Sequence, residues 1–124
     1  MVVRGIRGAI TVQHNEETEI LQATRDMLHQ IVVDNEIKPE DICSVFVTVT
    51  QDLDAAFPAK AIRQLPGWEL VPLMCSLEIP VAGGLKQCIR LMVHVNTTKS
   101  QSEVIHVYMN EAVKLRPDLT QAAN

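Results

Sequence analysis

Residues 16–35 read EETEILQATRDMLHQIVVDN, and this stretch decides the fold. Ile20, Met27, Leu28 and Ile31, with Leu21 and Val32 beside them, recur at the spacing that lines one side of an α-helix. Asn15, just before, has the chemistry of an N-cap. Glu16, Glu17 and Glu19 favour the positive end of the helix dipole. Lys38-Pro39 is expected to stop the helix. No other stretch predicts a long helix, so this apolar stripe must lie on a sheet.

The flanking sequence supplies that sheet. Residues 1–12 (MVVRGIRGAITV) predict a first strand, with Val3, Gly5 and Arg7 on one face by period two. Residues 43–50 (CSVFVTVT) alternate and are rich in β-branched side chains. Pro58 can open a short helix, on which Lys60 and Arg63 share a face. Residues 68–75 (WELVPLMC) predict a strand whose Pro72 confines it to an edge or a bulge. Residues 86–95 (KQCIRLMVHV), after a Gly83-Gly84 turn, and residues 104–109 (VIHVYM) complete the set. The expectation is one α+β domain over residues 1–124: a five-stranded mixed sheet, one long helix, and a loosely ordered tail from about residue 116.

A chain of 124 residues supports one core. With 47% hydrophobic and 21% charged residues, it is not a disordered chain. No apolar run approaches the ~18 residues of a membrane span. Met1 to Gly8 lacks the long apolar core and cleavage site of a signal peptide. Cys43, Cys75 and Cys88 form no C-x-x-C pair. They predict a reducing cytoplasm rather than a disulfide framework. The net charge of −4 is uneven: residues 13–56 hold ten acids against Arg25 and Lys38, while both flanks are net basic. Such a balance makes nucleic acid a poor candidate partner and suits a small anionic ligand better than a polyanion.

Arg90 is the most informative residue. It interrupts the apolar run Ile89-Arg90-Leu91-Met92-Val93, where a charge is expensive, and shares a strand face with Cys88, Met92 and His94. A snorkelling or acid-paired arginine fits that position, and so does a planar fork held out to a carboxylate. Arg7 lies between Gly5 and Gly8, which permit close approach of a ligand or another backbone. Lys60, Arg63 and Arg116 read individually as solvated. Together with Arg7 and Arg90 they place five cations at four points of an acidic chain. Glu78 is a lone acid between apolar residues, suited to pair an arginine or accept a bond from a hydroxyl. Tyr108 offers a phenol on a strand.

Several chemistries are missing from the sequence. There is no phosphate-cradling G-x-x-x-x-G-K-[ST], no G-x-G-x-x-G and no G-x-S-x-G. His14, His29, His94 and His106 show no metal-ligand spacing, so neither metal nor cofactor is expected. What remains, several guanidinium groups, one carboxylate and one phenol, can bind a hydroxylated dicarboxylate. Any catalysis would come from orientation and electrostatics.

Four dispersed segments carry a resemblance. Arg4-Gly5-Ile6-Arg7-Gly8-Ala9, Phe57-Pro58-Ala59-Lys60-Ala61-Ile62-Arg63, Gly83-Gly84-Leu85-Lys86-Gln87-Cys88-Ile89-Arg90, and His106-Val107-Tyr108 with Leu115-Arg116-Pro117-Asp118-Leu119 resemble the monofunctional chorismate mutases of the Bacillus type. The resemblance runs nearly end to end. It implies a homotrimer with a pseudo α/β-barrel core, three active sites at subunit interfaces, and the Claisen rearrangement of chorismate to prephenate. It also implies roles. Arg90 would meet the ether oxygen and a carboxylate, Arg7 and Tyr108 the side-chain carboxylate, and Glu78 with the Cys75 backbone the ring hydroxyl. Phe57, Ala59, Lys60 and Arg63 would come from a neighbouring subunit, and Leu115 and Arg116 would close the mouth. Met74 stands where the family pattern has a smaller polar residue such as Thr, so only its backbone is expected to make a contact. Two alternatives fit the same outline: a non-catalytic trimeric module that binds a dicarboxylate, and a trimeric imine-hydrolysing deaminase.

Overall fold

The computed structural model describes residues 1–115 of the chain. Five strands form a single sheet: β1 (Val2–Thr11), β2 (Ile42–Val49), β3 (Leu73–Leu77), β4 (Cys88–Thr97) and β5 (Val107–Met109). Two α-helices, α1 (Glu17–Asn35) and α2 (Ala59–Arg63), lie between strands, and short 3₁₀ turns occupy Pro39–Asp41 and Asn110–Lys114. The strand order is β3-β2-β4-β1-β5. The three central strands pair antiparallel, and the two edge strands pair parallel to their neighbours.

The expected stripe of α1 is the packed one: Ile20, Met27, Leu28 and Ile31 join the core over the sheet, Leu21 is buried beside them, and Val32 is partly buried against that core. Opposite them lie Ile6 and Ile10 of β1, Val45 and Val47 of β2, and Ile89, Leu91, Val93 and Val95 of β4. Each fully buried side chain of this size contributes roughly 1.5–3 kcal/mol, so α1 is held mainly by this layer. Gly8 explains how closely it sits. A Cβ there would fall 2.6 Å from Ile31 Cδ1 and 3.0 Å from Met27 Sδ. The space left by the missing Gly8 side chain therefore serves the helix, while the Gly8 backbone borders the cavity on the other face.

Three local expectations are corrected. Asn15 does not cap α1: its side-chain oxygen accepts the N–H groups of Asp54 and Ala55, and its amide donates to Asp54. Glu19 reaches back instead, and its carboxylate accepts the Gln13 N–H at 2.6 Å. Its pKa is lowered chiefly by that bond. Helix α1 ends at Glu36, which takes a left-handed φ of 54°, before Lys38-Pro39 is reached. The third strand starts at Leu73 rather than residue 68. Gly67 at φ +87° turns the chain, and Trp68 and Val71 are buried in turns, so their apolar character reflects core packing rather than strand pairing. Pro72 sits just before this strand, which is an edge strand as its proline requires. The tail expected to be loose from residue 116 lies outside the described residues.

Candidate active site

Only one face of the sheet is covered by α1. The other carries every second residue of each strand. One row across it runs Ser76, Thr48, Arg90, Ala9 and Tyr108 by strand register; the next runs Met74, Phe46, Met92 and Arg7. Arg90 stands on β4, the central strand, so it is no edge arginine. Its neighbours Ile89 and Leu91 point to the helix and are buried, which is why an apolar run surrounds it.

Arg90 has an acid partner. Its Nη1 lies 3.2 Å from Glu78 Oε1, and the Thr48 hydroxyl donates to the other Glu78 oxygen. Glu78 reaches this point because its N–H bonds the Val49 carbonyl at 2.9 Å, prolonging β3 alongside β2 by one step. Thr48 is the site residue that the sequence reading overlooked. Strand alternation puts Thr48 on the Arg90 face, but only the placement of Glu78 beside it gives it a role.

Arg7, Glu78, Arg90 and Tyr108 line one cavity of about 380 Å³, together with Phe46 and Met92. That size suits a small organic ligand. Among the described residues, neither the Arg7 guanidinium nor the Tyr108 hydroxyl has a hydrogen-bond partner; the Arg7 backbone N–H donates to His106 Nδ1 at 2.9 Å. A second cavity of about 540 Å³ shares Arg90 and Glu78 with the first and is bordered by Lys86 and Leu115. The ion pair therefore forms a wall between two openings. Behind Arg90, Cys88 is buried, and its thiol pKa is pushed from 9.0 up to about 11, chiefly by desolvation. It is held as a neutral thiol and is unsuited to nucleophilic chemistry at neutral pH.

The remaining candidates lie elsewhere. Phe57, Lys60 and Cys75 border a third cavity of about 560 Å³ on the helix side of β3, with Glu17 of α1. Phe57 is 74% exposed, and Lys60 lies 3.7 Å from Glu17. Arg63 is exposed on α2. Ala59 is 4% exposed and packs in the core, so its side chain seats α2. Met74 is 63% exposed on the Arg90 face, two strands from Arg90. Arg116 falls outside the described residues. One chain thus unites Arg7, Glu78, Arg90 and Tyr108, and holds Phe57, Lys60 and Cys75 on the opposite side of the sheet.

This constellation of two guanidiniums, one carboxylate and one phenol can be compared with known proteins. The family model "Chorismate mutase type I" matches residues 3–119. The chain belongs to the type I chorismate mutase family. It is 49% identical over 124 residues to chorismate mutase AroH of Bacillus subtilis (strain 168), covering 100% of this chain and 98% of that protein. It is 48% identical over 122 residues to chorismate mutase AroH of Thermus thermophilus, covering 98% and 99%. A solved chorismate mutase from Clostridium thermocellum superposes with a TM-score of 0.85 at 48% identity, over 88% of this chain and 96% of that one. The α+β fold with its five-stranded mixed sheet is that of a chorismate mutase, and the chain is accordingly an isomerase of aromatic amino acid biosynthesis. No helix among the described residues is long and apolar enough to cross a membrane.

Proposed function

We propose that this chorismate mutase converts chorismate to prephenate as a cytoplasmic, single-domain homotrimer, without metal or cofactor. One observation carries the reading of the site. Arg90 is a charge on the central strand, paired to Glu78 in a cavity that also holds Arg7 and Tyr108. In the rearrangement the ether C–O bond breaks as a C–C bond forms, and negative charge grows on the ether oxygen. Arg90 donates to that oxygen and to a carboxylate. Arg7 and Tyr108, whose side-chain polar groups have no partner among the described residues, hold the side-chain carboxylate. Glu78 and the Cys75 backbone take the ring hydroxyl. No proton changes hands, so preorganised donors and a restrained conformer supply the rate.

The division of side chains between the two sheet faces supports an interface site. Phe57, Lys60 and Cys75 stand on the helix side of edge strand β3, away from Arg90 of the same chain. Phe57, Lys60 and Arg63 from a neighbouring chain would complete the open side, with Ala59 seating their helix, the Met74 backbone at the rim, and Leu115 and Arg116 closing the mouth. The exposed Phe46 and Met74 on the Arg90 face give that contact an apolar surface. The test is direct. Purified protein treated with a chelator should deplete the ultraviolet absorbance of chorismate and yield prephenate. A rate no greater than the uncatalysed background would refute the proposal.

A further inference from the structure

Gln87, three positions before Arg90, adopts φ +50°, a left-handed conformation that side chains other than glycine rarely take. Its surroundings hold it there. The Gln87 N–H donates to both carboxylate oxygens of Asp52, at 3.1 and 3.0 Å. Its carbonyl accepts the Val12 N–H at 2.9 Å, and its side-chain amide donates to the Gln13 carbonyl at 3.2 Å. Asp52 is itself fixed by the Thr50 hydroxyl at 2.5 Å, and that hydroxyl accepts the Cys88 N–H at 3.0 Å. A reciprocal bond runs from the Thr50 N–H to the Cys88 carbonyl at 3.0 Å. Asp52, Thr50, Gln87 and Cys88 form one clamp at the point where β4 begins.

The sign of the charge at Asp52 is also informative. Its side chain borders the cavity that contains Arg90. A carboxylate there works against an anionic ligand, so its direct electrostatic effect opposes binding. We propose that Asp52 is a positioning residue for the rearrangement. By holding Gln87 left-handed it sets where β4 starts, and so where Arg90 presents its guanidinium. This inference rests on the reading of Arg90 as the group at the ether oxygen.

The test compares kcat and KM for chorismate in the wild type, Asp52→Ala, Gln87→Gly, their double variant and Arg90→Lys, with thermal unfolding of each. Asp52→Ala should lower kcat about tenfold, within what releasing one strained residue allows, and alter KM less. In the Gln87→Gly background the same change should cost less than about threefold, because glycine takes positive φ readily. A purely structural role would lower the unfolding temperature and leave the kcat of folded enzyme unchanged. Wild-type kcat in Asp52→Ala beside a crippled Arg90→Lys would overturn the role of Asp52 and leave the site intact. An active Arg90→Lys would overturn both. An undiminished loss in the glycine background would overturn the route through Gln87. If Asp52→Ala does not fold at the assay temperature, Asp52→Asn, with one carbonyl oxygen in place of two carboxylate oxygens, carries the same comparison at smaller amplitude.

Discussion

Replacing Arg90 by lysine separates two energy scales at one residue. The Arg90–Glu78 pair spans 3.2 Å, with side chains 40% and 25% exposed. Solvent screens a pair that open, so it contributes under about 1 kcal/mol to folding. Lysine keeps the charge and can still approach Glu78. The unfolding temperature should therefore move by no more than a few degrees. Catalysis is more demanding. The planar guanidinium offers several donors in a fixed fork, whereas an ammonium is a single point at the end of a flexible stem. Losing one preorganised donor to a developing oxyanion costs roughly 10²–10³ in kcat, about 3–4 kcal/mol. The predicted barrier increase exceeds the predicted folding change several-fold, so unfolding cannot account for it. The assay follows chorismate absorbance under saturation, alongside thermal unfolding monitored by circular dichroism. A folded Arg90→Lys enzyme with kcat within a few-fold of wild type would sink the electrostatic assignment.

Gly8→Ala should lower the unfolding temperature by several degrees. The new Cβ meets Ile31 and Met27 at 2.6–3.1 Å, an overpacking of about 1–3 kcal/mol only partly offset by the smaller entropy of the unfolded chain. Burial raises the folded pKa of Cys88 above its unfolded value, so the unfolded chain ionises first as pH rises. Its contribution is complete below pH 9.0, is lost between there and about 11, and amounts to roughly 2–3 kcal/mol; Cys88→Ala should flatten the chemical-denaturation profile over that window. Around neutrality kcat should be flat, and a bell-shaped profile tracking His106 would instead report an essential acid and base. Inactive variants lacking Arg90 or Arg63, unfolded together and refolded 1:1, should recover about a quarter of wild-type activity, since a mixed three-fold ring contains one junction with both good halves. Confirmed mixed trimers without that gain would place the site within one chain.

Periodicity makes much of this molecule legible in its sequence. The α1 stripe and the alternation in β2 each have one geometric solution that satisfies burial, whereas the charge in β4 has several until Glu78 is placed beside it. Misreadings fell where a residue had two outlets for the same chemistry. Asn15 can cap a helix or bridge a loop, and the nearby Asp54 and Ala55 N–H groups were invisible in the sequence. Trp68 and Val71 look like strand residues because burial selects the same side chains in a turn. Thr48 was passed over because a threonine in a strand carries no signal until Glu78, thirty residues on, is placed beside it. The Asp52–Gln87 clamp was illegible for a further reason. A left-handed residue is favoured by tertiary bonds, and glutamine does not announce it.

The uneven charge along the sequence acquires a spatial meaning in the fold. The acid-rich middle segment places Glu19, Asp26 and Asp34 on α1, behind the sheet, while Arg7 and Arg90 stand on the front. Packed layers are separated by about 10 Å, and the helix acids project outward from there. The screening length at physiological ionic strength is about 8 Å, so those carboxylates oppose an anion at the front face only weakly. Glu78 is different: it lies within the site and neutralises part of Arg90. A carboxylate there lowers the affinity for a dianion, yet it orients the guanidinium and offers an acceptor to a hydroxyl that neither arginine can provide. A site built of arginines alone would bind any small dianion. On the proposed reading of the site, Glu78 would add a requirement for the hydroxyl, and selectivity for a hydroxylated dicarboxylate would follow from the pair, with Thr48 holding the acid in register.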